Sequence, residues 1–312
     1  MKKFIFKVIL IISISALFIV AYCELASVAS LKYNGPNTEE QVRMSFNNAI
    51  ADEYNCYFLG NSRIYRGINP DVFDTVNSYN FAHDNDSYNQ MYYKLLYLME
   101  NNEPIEYLII GIDYFQFSFL SDTRNYIYSL LLPKEYGDDF EERSWIEAKE
   151  DYYTRLWTNK QNVLPDCIKL LMCRVAPATV NYQKKNGQYV VNGNASPDNF
   201  VDRDYTVLDV QYEYFQRILS ICEENNIELY VIMPPLWEGE TSTHTDQERE
   251  EFNMMIRTEL TKTPYADNYI NYSEEEGLSS YQDFTDVTHL KPEAADEYSE
   301  YINEKIFGKY DY

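Results

Sequence analysis

The feature that most constrains this chain is an apolar run from Phe4 to Tyr22, with Lys2, Lys3 and Lys7 before it or in its opening turns. Its length of about 19 residues is close to the roughly 20 that an α-helix needs to cross a bilayer. A cleaved signal peptide has a shorter apolar core, of about 7–15 residues. The run therefore predicts one membrane-spanning helix, with the lysines on the cytoplasmic side and the body of the chain outside the cytoplasm. The small residues of Ala26-Ser27-Val28-Ala29-Ser30 leave a cleavage site open as the alternative. Cys23 sits where a lipidated cysteine would stand, but Tyr22 occupies the place of the small residue that precedes one. Residues 1–30 are assigned to an anchor or signal segment, and residues 31–312 to one large domain opened by a stalk and a leading helix.

The body is strongly acidic. The net charge is -24, and the first 22 residues contribute only lysines. Such a surface repels nucleic acid and anionic headgroups at long range, and no basic cluster offsets it, so nucleic-acid binding is excluded. The 31 Tyr and 16 Phe are compatible with sugar or protein contacts, because a tyrosine ring joins an apolar face to a polar tip, and equally with compositional drift. Five cysteines without a Cys-x-x-Cys pair form neither a disulfide framework nor a zinc ribbon. Cys56 and Cys222 are expected as buried thiols. Cys167 and Cys173 are close enough in sequence to pair outside the cytosol.

Short apolar runs alternate with helical patterns. Strands are predicted at 55–59, 76–82, 105–112, 227–233 and 267–272, and helices at 87–99, 212–225, 246–260 and 292–306. Apolar strands separated by helices imply a mostly parallel sheet covered on both faces. The expected fold is α/β, a flavodoxin-like doubly wound sheet preceded by one transmembrane helix. Residues 114–205 break the rhythm and are assigned to a helical or irregular insertion over the C-terminal edge of the sheet, where such folds bind ligands.

Two motifs carry chemistry. Phe58-Leu59-Gly60-Asn61-Ser62-Arg63 brings a hydroxyl to the carboxyl end of a strand. Gly60 would permit a tight turn, and the Ser62 N–H can face the site as an oxyanion donor. Alone, the motif also suits a serine capping a helix. Asp283-Phe284-Thr285-Asp286-Val287-Thr288-His289, just before the last helix, sets a carboxylate three residues from an imidazole. Asp286 can accept a hydrogen bond from Nδ1–H and leave Nε2 as a base, with Asp283 a partial substitute. In a parallel α/β sheet both loops reach the same edge. Arg63 either binds a substrate carboxylate or pairs with a nearby acid. Asp202-Arg203-Asp204 and Asp246-Gln247-Glu248 suit solvated faces or caps, and would hold a metal only if they converged.

Gly60-Asn61-Ser62-Arg63 and Asp286-Val287-Thr288-His289-Leu290-Lys291-Pro292 resemble the first and last blocks of the SGNH hydrolase superfamily. The likeness is greatest to membrane-anchored members in polysaccharide O-acetylation and teichoic-acid D-alanylation systems. Gly67-Ile68-Asn69-Pro70, the strand ending Met233-Pro234-Pro235 and the N-terminal anchor are similar too. The resemblance covers most of residues 55–307, apart from 114–205. It implies Ser62 as nucleophile, His289 as general base and Asp286 as its orienter, with no cofactor and no metal. The chain departs from the family pattern at two blocks. Phe81-Ala82-His83-Asp84 offers no glycine donor, and Gly111-Ile112-Asp113 has Asp where Asn would donate to an oxyanion. Asn61, Arg63 and Asp113 are the remaining candidates for oxyanion or substrate contacts.

The resemblance implies an acyl transferase, transferring an acetyl or similar group to a cell-envelope or secreted polysaccharide, with the donor delivered by a multi-pass membrane acyltransferase. A carbohydrate esterase using the same triad is the second expectation. A non-catalytic scaffold binding glycan or a membrane partner is the third.

Overall fold

A computed structural model describes residues 2–34, 38–101, 103–120, 160–176, 181–196, 205–275 and 277–308. The chain divides into two compact units, Met1–Gln41 with Tyr126–Thr179 and Val42–Asn125 with Val180–Tyr312.

The first unit is built on α1 (Lys2–Asn34), which is long and apolar enough to cross a membrane. Its two halves differ. Phe4, Leu17 and Phe18 are about 70% exposed, whereas Cys23, Ala26 and Ala29 are buried. Ala26 and Ala29 pack against Val163 and Cys167 of a second described helix, α5 (Lys160–Leu171), where small side chains allow close approach. The Tyr33 hydroxyl donates to the Arg174 carbonyl at 2.7 Å. Cys167 and Cys173 remain free thiols, one buried and one exposed, contrary to the suggested pairing.

The second unit holds a five-stranded sheet: β1 (Cys56–Leu59), β2 (Ser78–Asn80), β3 (Tyr107–Gly111), β6 (Glu228–Met233) and β7 (Tyr269–Asn271). The order is β2-β1-β3-β6-β7 and every pairing is parallel. Tyr57 lies between Tyr79 and Leu108, and Val231 pairs with Tyr269. The molecule is therefore α/β with a parallel sheet. Each predicted strand forms, trimmed by loop residues that still bond to the sheet: Cys56 N–H, for example, donates to Asn77 O.

Alternation along the strands sends side chains to two buried faces. Cys56, Phe58, Ile109 and Ile232 pack with Ala295, Tyr298, Ile302 and Ile306 of α9 (Pro292–Phe307). Tyr57, Leu108, Ile110, Leu229 and Val231 point the other way and are equally buried. Elsewhere in this unit, α4 (Tyr88–Glu100) packs on α6 (Asp209–Glu224), which also meets β6. Gln90 fixes the start of α4 by accepting the Ser87 N–H at 3.3 Å. Helix α8 (Asp246–Leu260) begins with a reciprocal Thr245–Glu248 capping box. These caps explain why the helix starts are legible from sequence.

The segment 114–205, expected to lack strands, contains an antiparallel hairpin, β4 (Tyr182–Gln183) with β5 (Tyr189–Val190). Two-residue strands are too short for alternation to register. Gly187 turns the hairpin at φ +95, and its Asn186 carbonyl accepts the Asn80 N–H at 2.9 Å. A Cβ at Gly187 would fall 2.0 Å from Asn80 O, so only glycine lets the hairpin lie against β2. Residues 121–159 of this segment lie outside the described residues.

Candidate active site

Strand β1 delivers its chain to Asn61, which is the N-cap of α3 (Ser62–Gly67) and accepts the Arg63 N–H at 3.0 Å. Ser62 is the first helical residue, so helix geometry leaves its N–H without an intrahelical acceptor. Gly60 acts differently from the turn expected of it. Its φ is not positive, and a Cβ there would lie 2.5 Å from Ile64 Cγ1. A Cβ on Gly111 would meet the same atom at 2.0 Å. The two glycines clear the space in which α3 seats Ile64 on the strand ends.

Gly67-Ile68-Asn69-Pro70 then fastens α3 to the last helix. Asn69 N–H donates to Ser299 Oγ at 2.8 Å, and Asn69 Nδ2 donates to Asp296 at 2.7 Å. Just before α9, the loop that leads into it closes on itself. Thr285 N–H donates to His289 O at 2.8 Å and Lys291 N–H to Asp283 O at 2.8 Å. Inside this loop Asp286 Oδ1 accepts the N–H groups of Thr288 and His289 at 2.8 and 2.9 Å. That local turn is what Asp side chains are suited to form, and it leaves Oδ2 facing the imidazole.

His289 Nδ1 lies 2.8 Å from Asp286 Oδ2, and His289 Nε2 lies 2.8 Å from Ser62 Oγ. An ionised carboxylate only accepts, so Nδ1 carries the proton and Nε2 offers its lone pair to the hydroxyl. Ser62, His289 and Asp286 thus form one hydrogen-bonded chain across 227 residues of sequence. Burial opposes ionisation of Asp286, but the hydrogen bond and charge of His289 and the two backbone donors overcome it and hold the carboxyl at about 2. Burial lowers the His289 pKa below its ordinary 6.5; Asp286 opposes this, and Arg66 and Arg63 reinforce it. The imidazole is therefore neutral near pH 7, the state a base requires.

Comparison with known proteins finds no matching family model and no matching curated sequence.

The three remaining predicted site residues are spent on one another. Asn61 Nδ2 donates to Asp113 Oδ2 at 2.6 Å, and Arg63 Nε lies 3.3 Å from the same oxygen. Arg63 Nη2 also meets both oxygens of Glu240, at 2.6 and 2.7 Å. Arg63, Asp113 and Glu240 are all buried. Burial works against the Arg63 charge, yet Glu240 and Asp113 hold its pKa above the usual value. Asn61 thus caps α3, Arg63 pairs with nearby acids, the second of its two expected roles, and Asp113 accepts from Asn61 and pairs with Arg63. Asp283 is occupied as well: its carboxylate accepts the Ser280 N–H at 3.1 Å and does not back up Asp286.

The residue that sequence reasoning missed is Arg66. One turn after Ser62 on α3, it places Nη1 within hydrogen-bond reach of His289 Nε2, while Nη2 pairs with Asp84 at 2.9 Å. Its i+4 spacing from Ser62 was the available signal, since such residues share a helix face.

Among the described residues no three His, Cys, Asp or Glu side chains group as a metal site. Asp246 pairs with Arg249 and Glu248 caps α8. Asp202-Arg203-Asp204 lies outside the described residues.

Proposed function

We propose that this chain is a serine acyl-group enzyme of the SGNH type, anchored by α1 with its second unit outside the cytoplasm. The observation that carries the reading is the continuous Asp286–His289–Ser62 hydrogen-bond chain, with the base neutral and the hydroxyl 2.8 Å from it. His289 would take the Ser62 proton as Oγ attacks an acyl carbonyl, and Asp286 would stabilise the imidazolium that forms. The strand order agrees with a flavodoxin-like topology, in which ligands meet the carboxyl ends of the strands. Ser62 follows β1 at that edge.

The resemblance to O-acetylation and D-alanylation proteins favours transfer of an acetyl-sized group to a polysaccharide hydroxyl, with a multi-pass membrane acyltransferase supplying the acyl donor. One observation favours hydrolysis instead. The Asp286 side chain is 53% exposed, so water has access close to the triad. The same Ser62 ester would then pass its acyl group to water.

Labelling of the detergent-solubilised chain by a fluorophosphonate probe tests the reading. Labelling lost in Ser62→Ala supports it, whereas equal labelling of both proteins leaves only the scaffold reading. Incubating the acylated enzyme with oligosaccharide then separates transfer from hydrolysis by where the acyl group goes. A C-terminal reporter active only after export is expected for the proposed sidedness; activity of a cytosol-only reporter refutes it.

A further inference from the structure

We propose that Arg66 is a catalytic residue, donating Nη1–H to the oxyanion that forms when Ser62 attacks. This inference rests on the triad reading. It supplies a donor in addition to the Ser62 N–H, in a chain whose second and third blocks lack the glycine and asparagine donors.

The geometry begins at His289 Nε2. With Nδ1–H donating to Asp286, Nε2 has a single lone pair. Ser62 Oγ and Arg66 Nη1 both approach that nitrogen. Two donors sharing one acceptor stand no farther apart than about 6 Å, two hydrogen-bond lengths. In a tetrahedral adduct the oxyanion and Oγ are bonded to the same carbon. Turning Nη1 from Nε2 toward that carbon would place the guanidinium beside the oxyanion. Asp84 holds Nη2 at 2.9 Å and fixes the swing of the group. The hairpin supports the backbone: Gln188 Nε2 donates to Arg66 O at 3.1 Å, and Tyr65, beside Arg66, stacks on Tyr189.

The same lone pair gives the resting site a second property. Arg66 and the Ser62 hydroxyl share that lone pair at rest, which weakens the pull of His289 on the Ser62 proton. An acyl carbonyl offers Arg66 another acceptor, one that becomes anionic as the reaction proceeds. As Oγ bonds to the carbonyl carbon, the C=O π pair moves to oxygen, the Oγ proton moves to Nε2, and Arg66 Nη1–H turns to the new anion. Collapse re-forms the carbonyl and expels the leaving alcohol or thiol, which takes the proton back from Nε2. Substrate thereby uncovers the base that it needs. His289 is faced by Asp286, Arg66 and Ser62, with Arg63 a more distant charge.

The test uses the full chain in detergent with p-nitrophenyl acetate. Arg66→Met is expected to lower kcat by about 100–1000-fold, the loss typical of one oxyanion donor, with little change in KM. Arg66→Lys should recover part of the rate. The acid limb of the Arg66→Met profile should shift to higher pH, because the cation that depresses His289 is gone; a residue that only supports the fold would leave it in place. A kcat within about threefold of the unaltered chain overturns the proposal. Turnover persisting in Ser62→Ala overturns the triad reading instead. A structure of the unaltered chain carrying a phosphonyl group on Ser62 decides the matter without any variant. Arg66 nitrogen within hydrogen-bond distance of the phosphonyl oxygen is expected, and Arg66 still on Nε2 overturns the proposal.

Discussion

Replacing Gly111 with alanine probes how the sheet sets the position of Ser62, the proposed nucleophile. The new Cβ would fall 2.0 Å from Ile64 Cγ1 and 2.5 Å from its Cδ1. Ordinary carbon contacts lie near 3.5–4.0 Å, so one side must yield by about 1.5 Å. Strand β3 is paired on both sides, with β1 and β6, and resists movement. Helix α3 has only six residues and carries Ser62 two positions before Ile64. It is the part that gives way. Overpacking of this kind costs about 1–3 kcal/mol, which lowers Tm by roughly 2–4 °C per kcal/mol in a domain of this size. The catalytic loss is larger. A shift of about 1 Å takes Ser62 Oγ out of reach of His289 Nε2, and misplacement on that scale costs about 100-fold in rate. The assay is p-nitrophenyl acetate turnover beside thermal unfolding, for Gly111→Ala, Ile64→Ala and the double variant. The double variant should lose less than the sum of the singles, because the smaller side chain admits the methyl group. Unchanged kcat in Gly111→Ala would falsify this account of how the glycines position α3.

The activity of the unaltered chain should rise with pH along an acid limb centred below 6.5, since His289 must lose its proton to act and burial favours the neutral ring. Asp286→Asn removes the interaction that raises the His289 pKa, so its limb should move to still lower pH while kcat falls; a limb moving upward in a pH–rate series contradicts this. Asp286→Ala should be severe but milder than Ser62→Ala, and Asp283→Ala added to it should cost little further turnover, because the Asp283 carboxylate is bound to Ser280. Arg63→Met strands two buried carboxylates and should cost about 3–5 kcal/mol in denaturant unfolding, far more than a surface change. Mass spectrometry of the protein from membranes should find α1 retained, because Ala26 and Ala29 are helical and buried rather than presented to a peptidase.

The sheet was legible chiefly from β1, β3 and β6, which are largely buried and carry apolar runs such as Tyr107-Leu108-Ile109-Ile110. The triad was legible because each half is local: Asn61 caps the helix that Ser62 begins, and Asp286 builds the turn that holds His289. Other parts depend on distant partners. Glu240 joins Arg63 from 177 residues away, and nothing in either neighbourhood announces the pair. The role of Gly60 was misjudged for a similar reason, since the constraint is the Ile64 side chain and not the glycine's own dihedral angles. The contact of Arg66 with His289 spans 223 residues and needs the folded loop before it exists.

Helix α1 is longer than a bilayer requires. At about 1.5 Å per residue, its 33 residues extend roughly 50 Å, whereas the hydrocarbon layer occupies about 30 Å. With the exposed apolar half seated in lipid, the buried half beginning near Cys23 stands above it, and the chain leaves Asn34 at a height fixed by helical geometry. Under the proposed function, anchoring confines the enzyme to the membrane surface, where acceptors displayed on the envelope meet it by lateral diffusion. Lengthening α1 by two helical turns would carry Asn34 roughly 11 Å farther from the lipid.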